Sequence, residues 1–301
     1  ATNGSDVVLG VAASADDVCD IISYTPFEVA GATFTGTTTL DGAVVINESS
    51  ADVDFRVESN GNANMLFVDG GNDTVAIGTS DTDFDPVADN LIVGTGTGSN
   101  GITIYTGSSA GNKGSIFFAD TAAGDATNSR KGQITYEQNN EIMTFFTADT
   151  KAMEIGFIGA VNMPKQPAFL VQPASTQSNM AINTNVDIAF GTERFDVGGN
   201  FASSVFTAPV DGKYFFTLNF NVTNLDAAAN FFELYIVATG QTFVVTIDPD
   251  HGTDPAYYTF TSSGLISMDA NDTCRVKYYQ GAGAAQTDVI VATHFSGYLV
   301  A

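Results

Sequence analysis

The sequence predicts an all-β chain in which a β-rich repeat stalk precedes a larger β-sandwich head. Three observations lead there. Helical periodicity is nearly absent along the 301 residues. Short apolar runs alternate instead with Gly, Asn, Asp and Thr, and the 30 glycines fit many tight turns. From about residue 165 the strand-like runs become longer and richer in aromatic residues.

Charge narrows the function. Lys plus Arg total 10 against 34 Asp plus Glu, a net charge of −24. No nucleic-acid partner is expected, because a phosphate backbone needs clustered cations. Charge-driven docking on anionic membranes is excluded for the same reason. The acidity suits a large extracellular assembly kept soluble by self-repulsion. The two cysteines, Cys19 and Cys274, fall in segments assigned to opposite ends of the molecule, so no disulfide scaffold is expected. Cys274 lies in an apolar strand pattern and reads as a small core residue. No apolar stretch is long enough for membrane insertion as a spanning helix. The start at Ala1 carries no signal-peptide pattern, which fits a processed or trimmed beginning.

Residues 1–50 hold short β-like pieces at Val7-Val8-Leu9, Ile21-Ile22, Phe27-Glu28-Val29 and Val44-Val45-Ile46. None is long enough to fold alone, so this segment is expected to attach or interlock with neighbouring chains that supply the missing core. Residues 51–111 show a loose repeat: Asp54-Phe55-Arg56-Val57-Glu58, then Met65-Leu66-Phe67-Val68-Asp69, then Val75-Ala76-Ile77-Gly78. The cadence returns at Asn90-Leu91-Ile92-Val93-Gly94 and Gly101-Ile102-Thr103-Ile104-Tyr105. Strand, Gly/Asn turn, strand at this spacing predicts a β-solenoid (β-helix) or an interwoven triple β stalk. The one helical candidate, Leu225 to Phe232 around Ala227-Ala228-Ala229, reads better as a loop because Asn flanks it and an aromatic strand follows.

The repeat from Asp54 to Thr79 resembles blocks found in phage tail fibres and related virion fibres. Residues 112–163 resemble another common fibre block, carried by Gly114-Ser115-Ile116-Phe117-Phe118, Gly132-Gln133-Ile134-Thr135-Tyr136, Met143-Thr144-Phe145-Phe146-Thr147 and Ala152-Met153-Glu154-Ile155. Pro164-Lys165-Gln166-Pro167 follows; proline blocks ladder bonding and restrains its predecessor, so a domain boundary is placed there.

Residues 164–301 form the expected head. Phe206 to Phe220 reads as strand, tight turn, strand, with Asp211-Gly212 at the turn. Tyr214, Phe216, Leu218 and Phe220 alternate onto one face, a sandwich core face. The head resembles the C1q/tumour-necrosis-factor family through Phe201, Phe206, Pro209-Val210-Asp211-Gly212-Lys213-Tyr214-Phe215-Phe216 and the closing Phe295-Ser296-Gly297-Tyr298-Leu299. Gly264 to Met268 with Asn271 to Val276 looks like the family's late hairpin, and Phe169-Leu170-Val171 like its first strand, beside the last. Leu218 stands where an aromatic is usual. The resemblance implies a ten-strand jelly roll and a homotrimer. A trimeric head would also hold three Gly-rich stalk chains in register, offsetting their ordering entropy.

Candidate sites are few. Asp248, Asp250 and Asp254, with His251 in the same loop, place oxygen ligands at alternating spacing that suits Ca²⁺. The preferred reading is a solvated turn built from Asp and Pro. Asp69-Gly70-Gly71-Asn72-Asp73 is half of a Ca²⁺ β-roll repeat; occurring once, it reads as a plain turn. Tyr257 and Tyr258, with Gln280 and Gln286 in and beside a Gly/Ala loop, are candidate receptor contacts, since tyrosine offers area and a hydrogen bond at low entropic cost. Subunit packing is the alternative for the tyrosines. His251 and His294 sit in unrelated contexts, and no nucleophile elbow, metalloprotease helix or phosphate-cradling loop occurs.

The expected protein is therefore a non-enzymatic, homotrimeric phage fibre or spike on the virion surface. It needs no cofactor unless Ca²⁺ binds. Its partners would be other virion structural proteins through the N-terminal part and a host-surface glycan or protein at the head. An extracellular adhesin or filament subunit of a cell, and a polysaccharide-degrading spike, are the alternatives.

Overall fold

The computed structural model describes residues 14–16, 18, 35–46, 49–120 and 130–301. Every regular element among them is a strand. The chain divides into two compact units, Ala1–Ile102 and Thr103–Ala301.

The first unit holds one four-stranded sheet, β1 (Phe55–Val57), β2 (Leu66–Asp69), β3 (Thr74–Ile77) and β4 (Leu91–Val93), in chain order. β1 to β3 are antiparallel, and β4 runs parallel to β3. The β2–β3 turn is held by Asp69, whose Oδ1 accepts from the Gly71 and Asn72 amides at 2.9 Å each. Among the described residues, the buried apolar side chains of this unit are Phe67 and Ala76. Two expected strands do not form. Val44-Val45-Ile46 and residues 101–105 are irregular and exposed, and no strand among the described residues offers them a ladder. The expected strands at 7–9, 21–22 and 27–29, and Cys19, lie outside the described residues.

The second unit begins with an antiparallel meander of β5 (Lys113–Phe118), β6 (Gly132–Glu137), β7 (Ile142–Thr147), β8 (Thr150–Ile155) and β9 (Val161–Asn162). Ala148 and Asp149, both at positive φ, make the two-residue β7–β8 turn. Asp149 earns its place by accepting from Gln133 Nε2 at 3.0 Å.

The head packs two sheets face to face. The first has the order β12 (Thr192–Val197), β10 (Ala168–Gln172), β21 (His294–Leu299), β15 (Gly212–Thr223), β18 (Tyr257–Met268), with β20 (Asp288–Val289) beside β15. The second has the order β13 (Phe201–Ala202), β14 (Val205–Thr207), β19 (Thr273–Gly281), β16 (Phe231–Ala238), β17 (Gln241–Ile247), with β11 (Val186–Asp187) beside β19. Setting aside the two short side strands, this is a ten-strand jelly roll. The first strand lies beside the last, Phe169 opposite Gly297. The strand exchange continues where the chain enters and leaves: Leu299 N–H donates to Pro167 C=O at 3.0 Å.

Period-two alternation built the core as read. Tyr214, Phe216, Leu218 and Phe220 are all buried. Phe169 sits at the centre, with ring centroids 4.9 Å from Phe201, 5.1 Å from Phe206 and 5.2 Å from Phe295. Tyr214 is fully buried and its hydroxyl donates to Val210 C=O at 2.9 Å; burial pushes its phenol pKa up. Cys274 is buried too, and burial pushes its thiol up to about 12, so it is a core residue and no nucleophile.

Two expected hairpins turn out to be sheet-to-sheet crossings. β14 pairs with β13 and β19, whereas β15 pairs with β18, β20 and β21. The Pro209-Val210-Asp211 bend carries the chain across the sandwich, which lets Phe206 face Tyr214 at 5.4 Å and Phe216 at 5.6 Å. β18 and β19 likewise lie in opposite sheets around the 269–272 turn, where Asp211 Oδ1 accepts from the Ala270 amide at 2.7 Å. The segment from Leu225 to Phe232 is a loop running into β16, as expected.

Candidate functional site

Two regions of the head can meet another molecule: the outward face of the first sheet, and the loops farthest from where the chain enters.

The face follows from strand register. Ala168 lies opposite Val197 and Tyr298, Tyr298 opposite Phe215, and Phe215 opposite Leu265. These side chains point away from the core and form one apolar row across all five strands. Tyr298 and Leu265 keep about half their surface exposed, at 50% and 51%. The Phe215 and Tyr298 rings touch, with centroids 5.8 Å apart. Phe195, opposite Leu170, widens the row at one edge. Farther up the face the outward residues are polar: Thr217, Asn219, Ser263, Thr261 and Thr259. The apolar band is thus confined to the end where Ala168 begins.

The distal loops come together because their flanking strands are paired. Thr223 lies opposite Tyr257 and Asp288, and Phe231 opposite Gly281. The 224–230, 248–256 and 282–287 loops therefore crowd one end, roughly 35 Å along β15 from its start. A buried carboxylate ties them. Asp226 is 2% exposed. Its Oδ2 accepts from Gln280 Nε2 at 3.0 Å and from the Ala284 amide, and its Oδ1 from the Ala228 amide at 2.9 Å. Gln280 Oε1 in turn accepts from Tyr278 Oη at 3.1 Å and Thr287 Oγ1 at 3.2 Å. Burial raises the Tyr278 phenol pKa, so it stays a neutral donor. Nothing in the sequence reading singled out Asp226, although an Asp opening an Ala-rich turn is a usual backbone acceptor.

This geometry sorts the expected site residues. Tyr257 stands 77% exposed on the distal end of the outward face. Tyr258 points the other way, packed against Phe260 at 4.9 Å and His251 at 5.4 Å. Gln280 is corrected: it is fully buried and its amide is consumed inside the loop network, so it cannot touch a receptor. Cys274, Val276, Tyr278 and Gln280 share one face of β19, and that alternation already placed Gln280 inward. Gln286 is half-buried and donates to Asp254 Oδ2 at 2.8 Å.

Asp248, Asp250 and Asp254 are exposed and do not gather into a carboxylate cluster. Asp254 is a loop tie, accepting from Gln286 and, at 2.9 Å, from the Ala227 amide. These bonds, the Gln286 bond foremost, hold its pKa below the usual carboxylate value. A depressed carboxylate contributes its tie above the unfolded pKa and loses it as pH falls through the folded pKa. Exchange of the Ala227 amide, followed by NMR, will therefore accelerate on acidification below the ordinary Asp range, relative to its intrinsic rate, and will not change between pH 6 and 8. A flat profile through the acid range would remove the tie. Among the described residues the one group of three carboxylates within 4.8 Å is Asp52, Asp54 and Asp69, in the first unit. Asp69 there is already saturated by Gly71, Asn72 and Thr82, with Thr82 the main cause of its lowered pKa. His251 Nε2 is the one buried side-chain polar atom without a hydrogen-bond partner among the described residues. His294 lies on β21 opposite Asn219, on the outward face of its sheet, whereas His251 packs against the inward-facing Tyr258.

A two-sheet jelly roll whose chain ends meet beneath it and whose loops cluster at the far end defines the class of domain. The C1q domain family matches residues 168–300, and that stretch is a C1q domain. Among solved structures, the globular domain of zebrafish complement 1qA is 15% identical, covering 45% of this chain and 98% of that one at a TM-score of 0.35. Murine APRIL at pH 8.5 is 11% identical, covering 45% and 100% at 0.34. The comparison with curated proteins returned no match. No helix among the described residues is long and apolar enough to cross a membrane.

Proposed function

We propose that this protein is a non-enzymatic, homotrimeric extracellular fibre of a phage virion, with the head at its tip. The observation that carries the reading is the apolar row Ala168, Tyr298, Phe215 and Leu265 on a chain of net charge −24. Strongly like-charged copies repel, and an apolar, carboxylate-free band is where they can still meet. The first unit supports it as well. A four-stranded sheet that buries only Phe67 and Ala76 among the described residues has apolar surface left to cover, and neighbouring copies would cover it. The resemblance of residues 54–79 and 114–155 to phage fibre blocks supplies the virion setting. The distal loops, with exposed Tyr257 beside them, are the surface offered to a host glycan or protein.

Sedimentation equilibrium tests the assembly. The full chain is expected at three times its 31.4 kDa mass, and Leu265→Glu, at an exposed position that the fold tolerates, is expected at one. A monomeric wild type with an intact fold would overturn the reading. Immunogold labelling of phage particles in the producing lysate tests the setting: fibre-tip decoration supports it, and labelling of the cell surface alone overturns it.

A further inference from the structure

The β8–β9 connection breaks a rule of turn chemistry. Gly159 N–H donates to Gly156 C=O at 2.8 Å, and Gly156 N–H to Ala160 C=O at 3.0 Å, so residues 156–160 are an ordered tight turn with Gly159 at φ +80. The central positions of such a turn normally hold Asn, Asp, Ser, Pro or Gly. Here they hold Phe157 and Ile158, each 75% exposed. Two large apolar side chains fixed in water at a hairpin tip gain nothing from their own chain.

A matching recess lies at the base of the head. Met163, Pro167, Pro209, Val210, Leu299 and Val300 are the apolar walls of a groove of about 600 Å³, and a second recess of about 350 Å³ shares Met163, Pro167 and Leu299 with it. Neither is lined by an Asp or Glu side chain. Their only charged side chain is Lys165. The second recess also includes Ala168 and Tyr298, so the groove runs directly into the apolar row of the sheet face. From residue 155 to residue 186, covering the tip and the near wall of the groove, the sequence contains no Asp or Glu in a chain that has 34.

The tip does not fill the groove of its own chain: Phe157 and Ile158 stay 75% exposed, although Val161, paired with Ile155 in the same hairpin, lines the second recess. That leaves another copy to supply the occupant. We propose that Phe157 and Ile158 of one chain insert into the groove at the base of the neighbouring head, a heterologous contact that closes into a ring in a cyclic trimer. The proposal rests on the trimeric reading and extends the head contact down to the fibre module. It joins the two parts of the second unit across chains and fixes the rotation of each head on its stalk.

The test uses the full chain in two variants. Phe157→Ser/Ile158→Asn replaces the tip with ordinary turn residues, and Val210→Asp places a carboxylate in the exposed groove wall. Circular dichroism confirms folding, and mass photometry over a dilution series reads the dissociation midpoint. Each variant is expected to dissociate at a concentration raised tenfold or more, given the area of two large apolar side chains. If the wild type is trimeric and both variants dissociate with it, the insertion is wrong and the trimer stands. If the wild type is monomeric, both readings fall.

Discussion

Gly297→Ala will destabilise the head by about 2–3 kcal/mol, an effect out of proportion to one methyl group. A Cβ built on Gly297 lies 2.5 Å from Phe216 Cδ1 and 2.9 Å from Phe169 Cε1. Both rings are buried, and neither has room to retreat. Phe216 stacks on Phe295 at 5.9 Å, and Phe169 is wedged among Phe201, Phe206 and Phe295. Interiors packed this densely pass strain on rather than absorb it. The Gly in the closing Phe295-Ser296-Gly297-Tyr298-Leu299 motif is thus a space requirement, set by two rings of the opposing strands. Urea unfolding of residues 164–301 within the full chain will show the transition midpoint lowered by about 1 M, with the slope unchanged. Gly252→Ala, with nothing within 4 Å of the added carbon, is the matched control and should stay within about 0.5 kcal/mol. Equal midpoints for both variants would show that the ring cluster yields, contrary to the packing described.

Asp226→Ala is the second large effect, about 3–4 kcal/mol, and its signature is local. The substitution orphans the Ala284 and Ala228 backbone amides, each costing about 1–3 kcal/mol when buried and unpaired, less whatever water recovers, and it leaves Gln280 Nε2 with only the Ala282 and Ala284 carbonyls as acceptors. Gly283 packs against the same carboxylate so closely that any side chain there would collide with it. With the carboxylate gone, the 282–287 loop loses both its hydrogen-bond anchor and its contact surface. Hydrogen exchange will show the Ala284 amide and the 286–287 segment losing protection by about 100-fold or more, while the β15–β18 ladder keeps its own. Uniform loss across the domain would mean that Asp226 supports the whole fold rather than the loops. Unchanged exchange in the loop would remove the carboxylate from the role assigned to it.

The parts of this structure legible in the sequence were those governed by local periodicity. Alternation placed Tyr214, Phe216, Leu218 and Phe220 inward, and it placed Gln280 inward too, though its Gly/Ala surroundings suggested a surface loop. Which strand a run pairs with is not a local property. Asp211-Gly212 carries hairpin chemistry, yet β14 and β15 part company there into opposite sheets, which brings Phe206 to face Tyr214 across the sandwich. Residues 101–105 have strand composition and no partner strand among the described residues, so composition alone overstated them. The candidate site divided the same way. Tyr257 was legible as an exposed aromatic, whereas Asp226 gathers donors from three points between residues 228 and 284, and the exposed Phe157-Ile158 tip becomes conspicuous only once its turn is seen.

The hydrogen bond between Leu299 N–H and Pro167 C=O has a practical consequence. The two points where the polypeptide crosses the boundary of the C1q domain are immediate neighbours. Such a domain can be cut out and spliced into a surface loop of an unrelated scaffold with a short linker on each side and no span to bridge. The same closeness makes it an interchangeable cassette in evolution: one recombination event beneath β10 and β21 replaces the domain while leaving the preceding sequence untouched.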